Sequence, residues 1–76
     1  MRAKGRKRKK LSKYEVMAIL NKAVDLIRQK KEIHIVVLAH FLDVTPYFIA
    51  KHIPLILELF EDIRYNEMTR TFYTVS

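Results

Sequence analysis

With 76 residues the chain has room for one small domain and a marginal core, which excludes a two-domain reading. It has no cysteine, which excludes disulfides, a thiolate nucleophile and cysteine-based zinc sites, and points to the cytoplasm. The net charge of +7 is gathered at one end: eight of the fifteen Lys and Arg residues fall in the first thirteen positions, with no acid among them.

Residues 1–10 hold Arg2, Lys4, Arg6, Lys7, Arg8, Lys9 and Lys10 without apolar periodicity. They are expected to form a disordered basic tail ahead of one domain spanning 11–76. Together with Lys13, such a run neutralises phosphates and releases counterions without reading sequence. The alternative is a solubilising or targeting extension. From Tyr14 onward seven basic residues face eight acidic ones, so the body is nearly neutral. Lys13, Glu15, Asn21 and Lys22 interrupt any secretory h-region. The longest charge-free stretch, residues 33–42, is ten residues and too short to span a bilayer, so no membrane partner is expected. From residue 11 on there is no glycine, few amides and much isoleucine, a composition that points toward a thermophile.

A first helix is expected over about 11–31. Ser12 and Glu15 have capping-box spacing, and Leu11 with Val16 would form a hydrophobic staple. Val16, Ile19, Leu20, Ala23, Val24 and Ile27 recur as one apolar stripe, and Arg28, Lys30 and Lys31 suit a helix C-terminus. Glu32, Ile33, His34 and Ile35 alternate polar and apolar, which predicts a short strand. Residues 36–42 predict a second helix that is apolar nearly all round, with Val36, Val37 and Phe41 left either for a partner or for cover by the rest of the fold.

Asp43 and Val44 then make a turn, Thr45 can cap a third helix and Pro46 suits its first position. That helix is expected over 45–60, with Ile49, Ile53, Ile56, Leu57 and Phe60 as the core stripe and Phe48, Leu55 and Leu59 as an apolar flank. Pro54 should kink it or end it early. Of its polar residues, Tyr47, Lys51 and, third, His52 are placed near enough to the N-terminal end to touch bases or phosphates, whereas Glu58, Glu61 and Asp62 repel them. Finally Ile63-Arg64-Tyr65 and Thr71-Phe72-Tyr73-Thr74-Val75 predict a β-hairpin around residues 66–70, from which Arg64, Arg70 and Tyr73 can lie along a nucleic-acid backbone. The alternative is a sheet that only closes the core, with both arginines solvated.

Catalytic chemistry finds no support in the residue pattern. His34, His40 and His52 lack metal-site spacing, Ser12 and Ser76 are the only serines, and no glycine-rich phosphate loop occurs. Neither an enzyme nor a cofactor is expected.

Helix, strand, helix, turn, helix and hairpin, with Leu38-Ala39-x-x-Leu42, Val44-Thr45-Pro46, Ile49, Ile53 and Phe72-Tyr73-Thr74, resembles the winged helix-turn-helix family over about residues 12–75. Asp43 stands where many members carry glycine. The resemblance implies a mainly α (α+β) domain of three helices and a small antiparallel sheet that binds DNA through the third helix and the hairpin. A basic tail before such a domain is also similar to a family of eukaryotic and archaeal small-subunit ribosomal proteins that contact ribosomal RNA. Three functions follow as expectations: DNA binding anchored by the tail, ribosomal RNA binding, or an accessory subunit of a larger complex such as a polymerase. A homodimer through exposed apolar residues is a further expectation.

Overall fold

The computed structural model describes residues 12–75. In order they form α1 (Lys13–Lys30), β1 (Glu32–His34), α2 (Ile35–Leu42), α3 (Pro46–Lys51), α4 (Ile53–Leu59), β2 (Ile63–Asn66) and β3 (Thr71–Thr74). The three strands make one antiparallel sheet in the order β1-β3-β2. The fold is therefore α+β and mainly helical. The tail assignment over 1–10 and the staple residue Leu11 lie outside the described residues.

Helix α1 begins where the capping box places it. Ser12 Oγ accepts the Glu15 N–H at 3.1 Å, and Glu15 Oε1 accepts the Ser12 N–H at 2.8 Å. Leu20, Ala23, Val24 and Ile27 are buried along the expected stripe, and Val16 packs against them. Ile19 is only half-buried, and Met17 and Leu26 pack on the core in addition. The helix stops one residue before the expected end. Lys31 turns to φ 74°, its N–H bonding Ile27 O at 2.7 Å and its carbonyl accepting Thr74 N–H at 3.0 Å.

The strand expected over 32–35 ends at His34, and Ile35 opens α2 instead. The reason lies in the imidazole: His34 Nδ1 accepts the Val36 N–H at 3.0 Å and caps the helix, while Ile35 N–H bonds Arg70 O at 2.8 Å. Buried Ala39 lies on α2 where α3 packs against it. Asp43 closes α2 in the left-handed region, φ 58° and ψ 42°, a conformation open to glycine, asparagine and aspartate. Thr45 Oγ1 then accepts the Phe48 N–H at 3.0 Å, and Pro46 opens α3 as its position predicts.

The single helix expected over 45–60 is two helices, broken at His52 (φ −103°, ψ 7°). Pro54 has no N–H for Ala50 O, and its ring would collide with that carbonyl in a continuous helix. The break falls just ahead of the proline, which sits in the first turn of α4. His52 bridges it: its N–H bonds Ile49 O at 3.0 Å, and its ring Nδ1–H donates to Phe48 O at 2.8 Å. The restart changes which residues face inward. Ile49 and Ile56 are buried, with Ile53 and Phe60 packed beside them, but Leu57 is 37% exposed rather than core. Phe48 and Leu55, expected as an apolar flank beside the stripe, are partly buried and pack against the core.

The sheet alternates as the hairpin pattern requires. Ile33, Phe72 and Tyr65 pair across the three strands in one row and Ile63 opposes Thr74, putting Ile33, Ile63 and Phe72 into the core. The adjacent row, Glu32, Tyr73 and Arg64, points to the opposite face. Asn66 Oδ1 accepts N–H bonds from Met68 at 2.9 Å and Thr69 at 3.3 Å, shaping the turn. Val75, expected in the last strand, lies just beyond it and is 40% exposed, although its N–H still bonds Asp62 O at 2.9 Å.

Candidate nucleic-acid interface

Of the twelve residues the sequence nominates, Arg2, Lys4, Arg6, Lys7, Arg8, Lys9 and Lys10 lie outside the described residues, and Lys13 is the exposed first residue of α1. Of the other four, Tyr47 and Lys51 lie on α3, Arg64 on β2 and Arg70 in the hairpin turn. Tyr47 and Lys51 are one turn apart on α3 and so share its exposed face, with Tyr47 at 74% exposure. Arg70, at φ 55° just before β3, lines the same cleft as Tyr47.

Between α3 and the hairpin lies a cleft of about 340 Å³. Tyr47, Pro46 and Ala50 line it from α3, Tyr65 and Arg70 from the hairpin, and Ile35 and Val36 from the start of α2. The bond from Ile35 N–H to Arg70 O ties two of those walls together at 2.8 Å. Among the described residues the side chains of Tyr47, Lys51 and Arg70 make no hydrogen bond or ion pair, so their polar groups are available to a ligand.

Arg64 is separate from this group. It stands in the row on the opposite sheet face, and its guanidinium folds back to donate from Nη1 to Glu61 O and to Ile63 O, the latter at 3.1 Å. Arg64 and Tyr73, paired in that row, do not line the cleft that Arg70 lines, so the structure does not bring all three expected residues together there. Tyr65 is the cleft residue that sequence reasoning missed as a binding residue. It reads as a core-closing strand aromatic, and only the packing brings it beside α3.

Several polar groups are committed elsewhere. Arg28 holds Asp62 through two hydrogen bonds, drawing the carboxyl down to about 2 from 3.8 and raising the guanidinium further above its usual value. Its guanidinium carbon also lies 5.8 Å from the Phe60 ring centre. His34 and His52 are helix-end hydrogen-bonding residues, and His40 meets the edge of Phe41 at 6.5 Å. Among the described residues no group of three or more His, Asp or Glu side chains is placed to hold a metal, and no helix is long and apolar enough to cross a membrane.

Helix α2 presents an apolar strip outward: Val36 is 51%, Val37 44% and Phe41 54% exposed. Lys30 Nζ lies 5.4 Å from the Phe41 ring centre and borders this strip with charge. No family model, curated protein or solved structure matches the chain.

Proposed function

We propose that this is a non-enzymatic nucleic-acid-binding protein of winged helix-turn-helix type, anchored chiefly by its basic N-terminal arm. The observation that carries the reading is that unpartnered Tyr47 on α3 and unpartnered Arg70 on the hairpin line one cleft, with Lys51 one helical turn beyond Tyr47. A strand ahead of the α2-turn-α3 unit that pairs with the hairpin strand β3 behind it supports the family reading. Duplex DNA is the favoured partner by that resemblance, and ribosomal RNA is the alternative, because a nearly neutral body with a basic arm suits folded RNA as well. Lys13 and Arg64 would add peripheral charge.

Sedimentation of the native protein from lysate, untreated and after separate RNase and DNase treatment, tests this. Collapse of a large particle with DNase supports the DNA form and collapse with RNase the ribosomal form. A species that is small from the start, or stays large after both, overturns the proposal.

One observation favours a second reading, an accessory subunit that docks on a larger protein: the exposed strip Val36, Val37 and Phe41. Phe41→Glu would then abolish the complex while the circular dichroism spectrum stays native. A complex that survives the substitution removes this reading.

A further inference from the structure

We propose that the cleft between α3 and the hairpin receives one unpaired base of a nucleic-acid strand, with the adjoining phosphate held by Arg70. This rests on the nucleic-acid reading and goes beyond it, because a base inside an intact duplex is stacked and cannot enter. The cleft is a shaped receptacle: its volume of about 340 Å³ stands at the small end of ligand sites, where a planar ring rather than a folded peptide fits.

Its chemistry matches a nucleotide from both ends. Tyr47 and Tyr65 supply aromatic surface, and Ile35, Val36 and Ala50 add apolar surface beside it. Base stacking on such rings is tolerant of sequence, which suits a protein whose α3 offers no Arg, Asn or Gln for base edges. Tyr65 is held in place by the Phe72 ring, 4.7 Å away centre to centre, so its surface is set before a ligand arrives. The Arg70 guanidinium has no partner among the described residues, and its planar fork matches a phosphate. Glu67, the carboxylate of the same turn, forms no ion pair with it. Lys51, one helical turn beyond Tyr47, extends the positive edge toward a second phosphate.

The cleft is also pre-organised. Arg70 is fixed in the left-handed region, its carbonyl bonds α2 through Ile35 N–H, and Asn66 Oδ1 holds the hairpin turn. Little ordering of these groups remains to be done on binding, which favours affinity.

The test uses the full chain and two readouts. In the first, the ¹⁵N-labelled protein is titrated with AMP and then UMP. Amide shifts centred on Tyr47, Ala50, Tyr65 and Arg70 are expected, and shifts confined to residues 1–13 overturn the inference. In the second, anisotropy compares a labelled single strand of about ten nucleotides, as DNA and as RNA, with a duplex. Ala50→Leu fills the cleft from an exposed position. It should weaken single-strand binding by about tenfold relative to the parent. Equal affinity of parent and variant for both single strands overturns the cleft proposal while duplex binding keeps the broader reading alive. No binding of either form by the parent overturns both.

Discussion

Arg28 and Asp62, thirty-four positions apart, meet in a two-pronged pair with Nε to Oδ2 at 2.8 Å and Nη2 to Oδ1 at 2.9 Å. Asp62 also accepts from Thr74 Oγ1 at 3.4 Å. One carboxylate thus ties the end of α1, the approach to β2 and the end of β3 at the side of the sheet away from the hairpin turn.

This pair makes stability depend on acid. The folded Asp62 carboxyl sits at about 2, below its ordinary value of 3.8. A lowered carboxyl contributes its stability in full above the unfolded value and loses it as pH falls through the folded one. The window therefore runs from about pH 4 down to about pH 2. The side chains remain 47% and 35% exposed, so solvent screens the interaction and its contribution is modest. Urea midpoints of the parent and Asp62→Asn should differ by a constant amount above pH 4 and converge toward pH 2. Parallel curves throughout that window would contradict the geometry.

Lys31 offers a stabilising substitution. It occupies φ 74° without a glycine's freedom, at the position after α1 where glycine is the common stop. Lys31→Gly should raise stability by about 1 kcal/mol, read as a higher urea midpoint at unchanged m-value. A lower midpoint would mean that the lysine side chain contributes more than the strain removes.

Phe72 is the largest fully buried side chain and stands between Ile33 and Tyr65 in the sheet row. Phe72→Ala should cost about 3–5 kcal/mol, comparable to the whole stability expected of a core this small. The variant should lack a cooperative thermal transition, whereas Val75→Ala, at an exposed site, should melt within a few degrees of the parent. A cooperative melt for Phe72→Ala near the parental temperature would displace Phe72 from the centre of the core.

The basic arm predicts a salt law. If it neutralises some six to eight phosphates, the logarithm of affinity for duplex DNA should fall against the logarithm of salt with a slope of roughly −5 to −7. Replacing Lys7, Arg8, Lys9 and Lys10 by glutamine should make that slope shallower by about 3 to 4. An unchanged slope would move the phosphate contacts from the arm to the body.

Local chemistry made much of this chain legible. The Ser12 and Glu15 box, the stripe from Leu20 to Ile27, the Asp43 turn, the Thr45 cap and the alternation of the hairpin are rules of short range, and each appears in the structure. Pro54 announced a disturbance for the same reason, since a missing N–H acts on its own turn.

What escaped the sequence are two local contacts of unusual type and the relationships between distant residues. That His34 caps α2 depends on a strand and helix meeting at one residue, and imidazole is not a usual capping group. That the break falls at His52 depends on which carbonyls its amide and ring reach, which in turn leaves Leu57 outside and draws Phe48 and Leu55 inward. Residue types alone gave the gathering of charge at the N-terminal end and the α-then-hairpin order, because charge, composition and periodicity act locally. The separation of Arg64 from Arg70, the placing of Tyr65 beside Tyr47 and the pairing of Arg28 with Asp62 were decided by tertiary structure, because sheet register and helix packing choose neighbours without regard to distance along the chain.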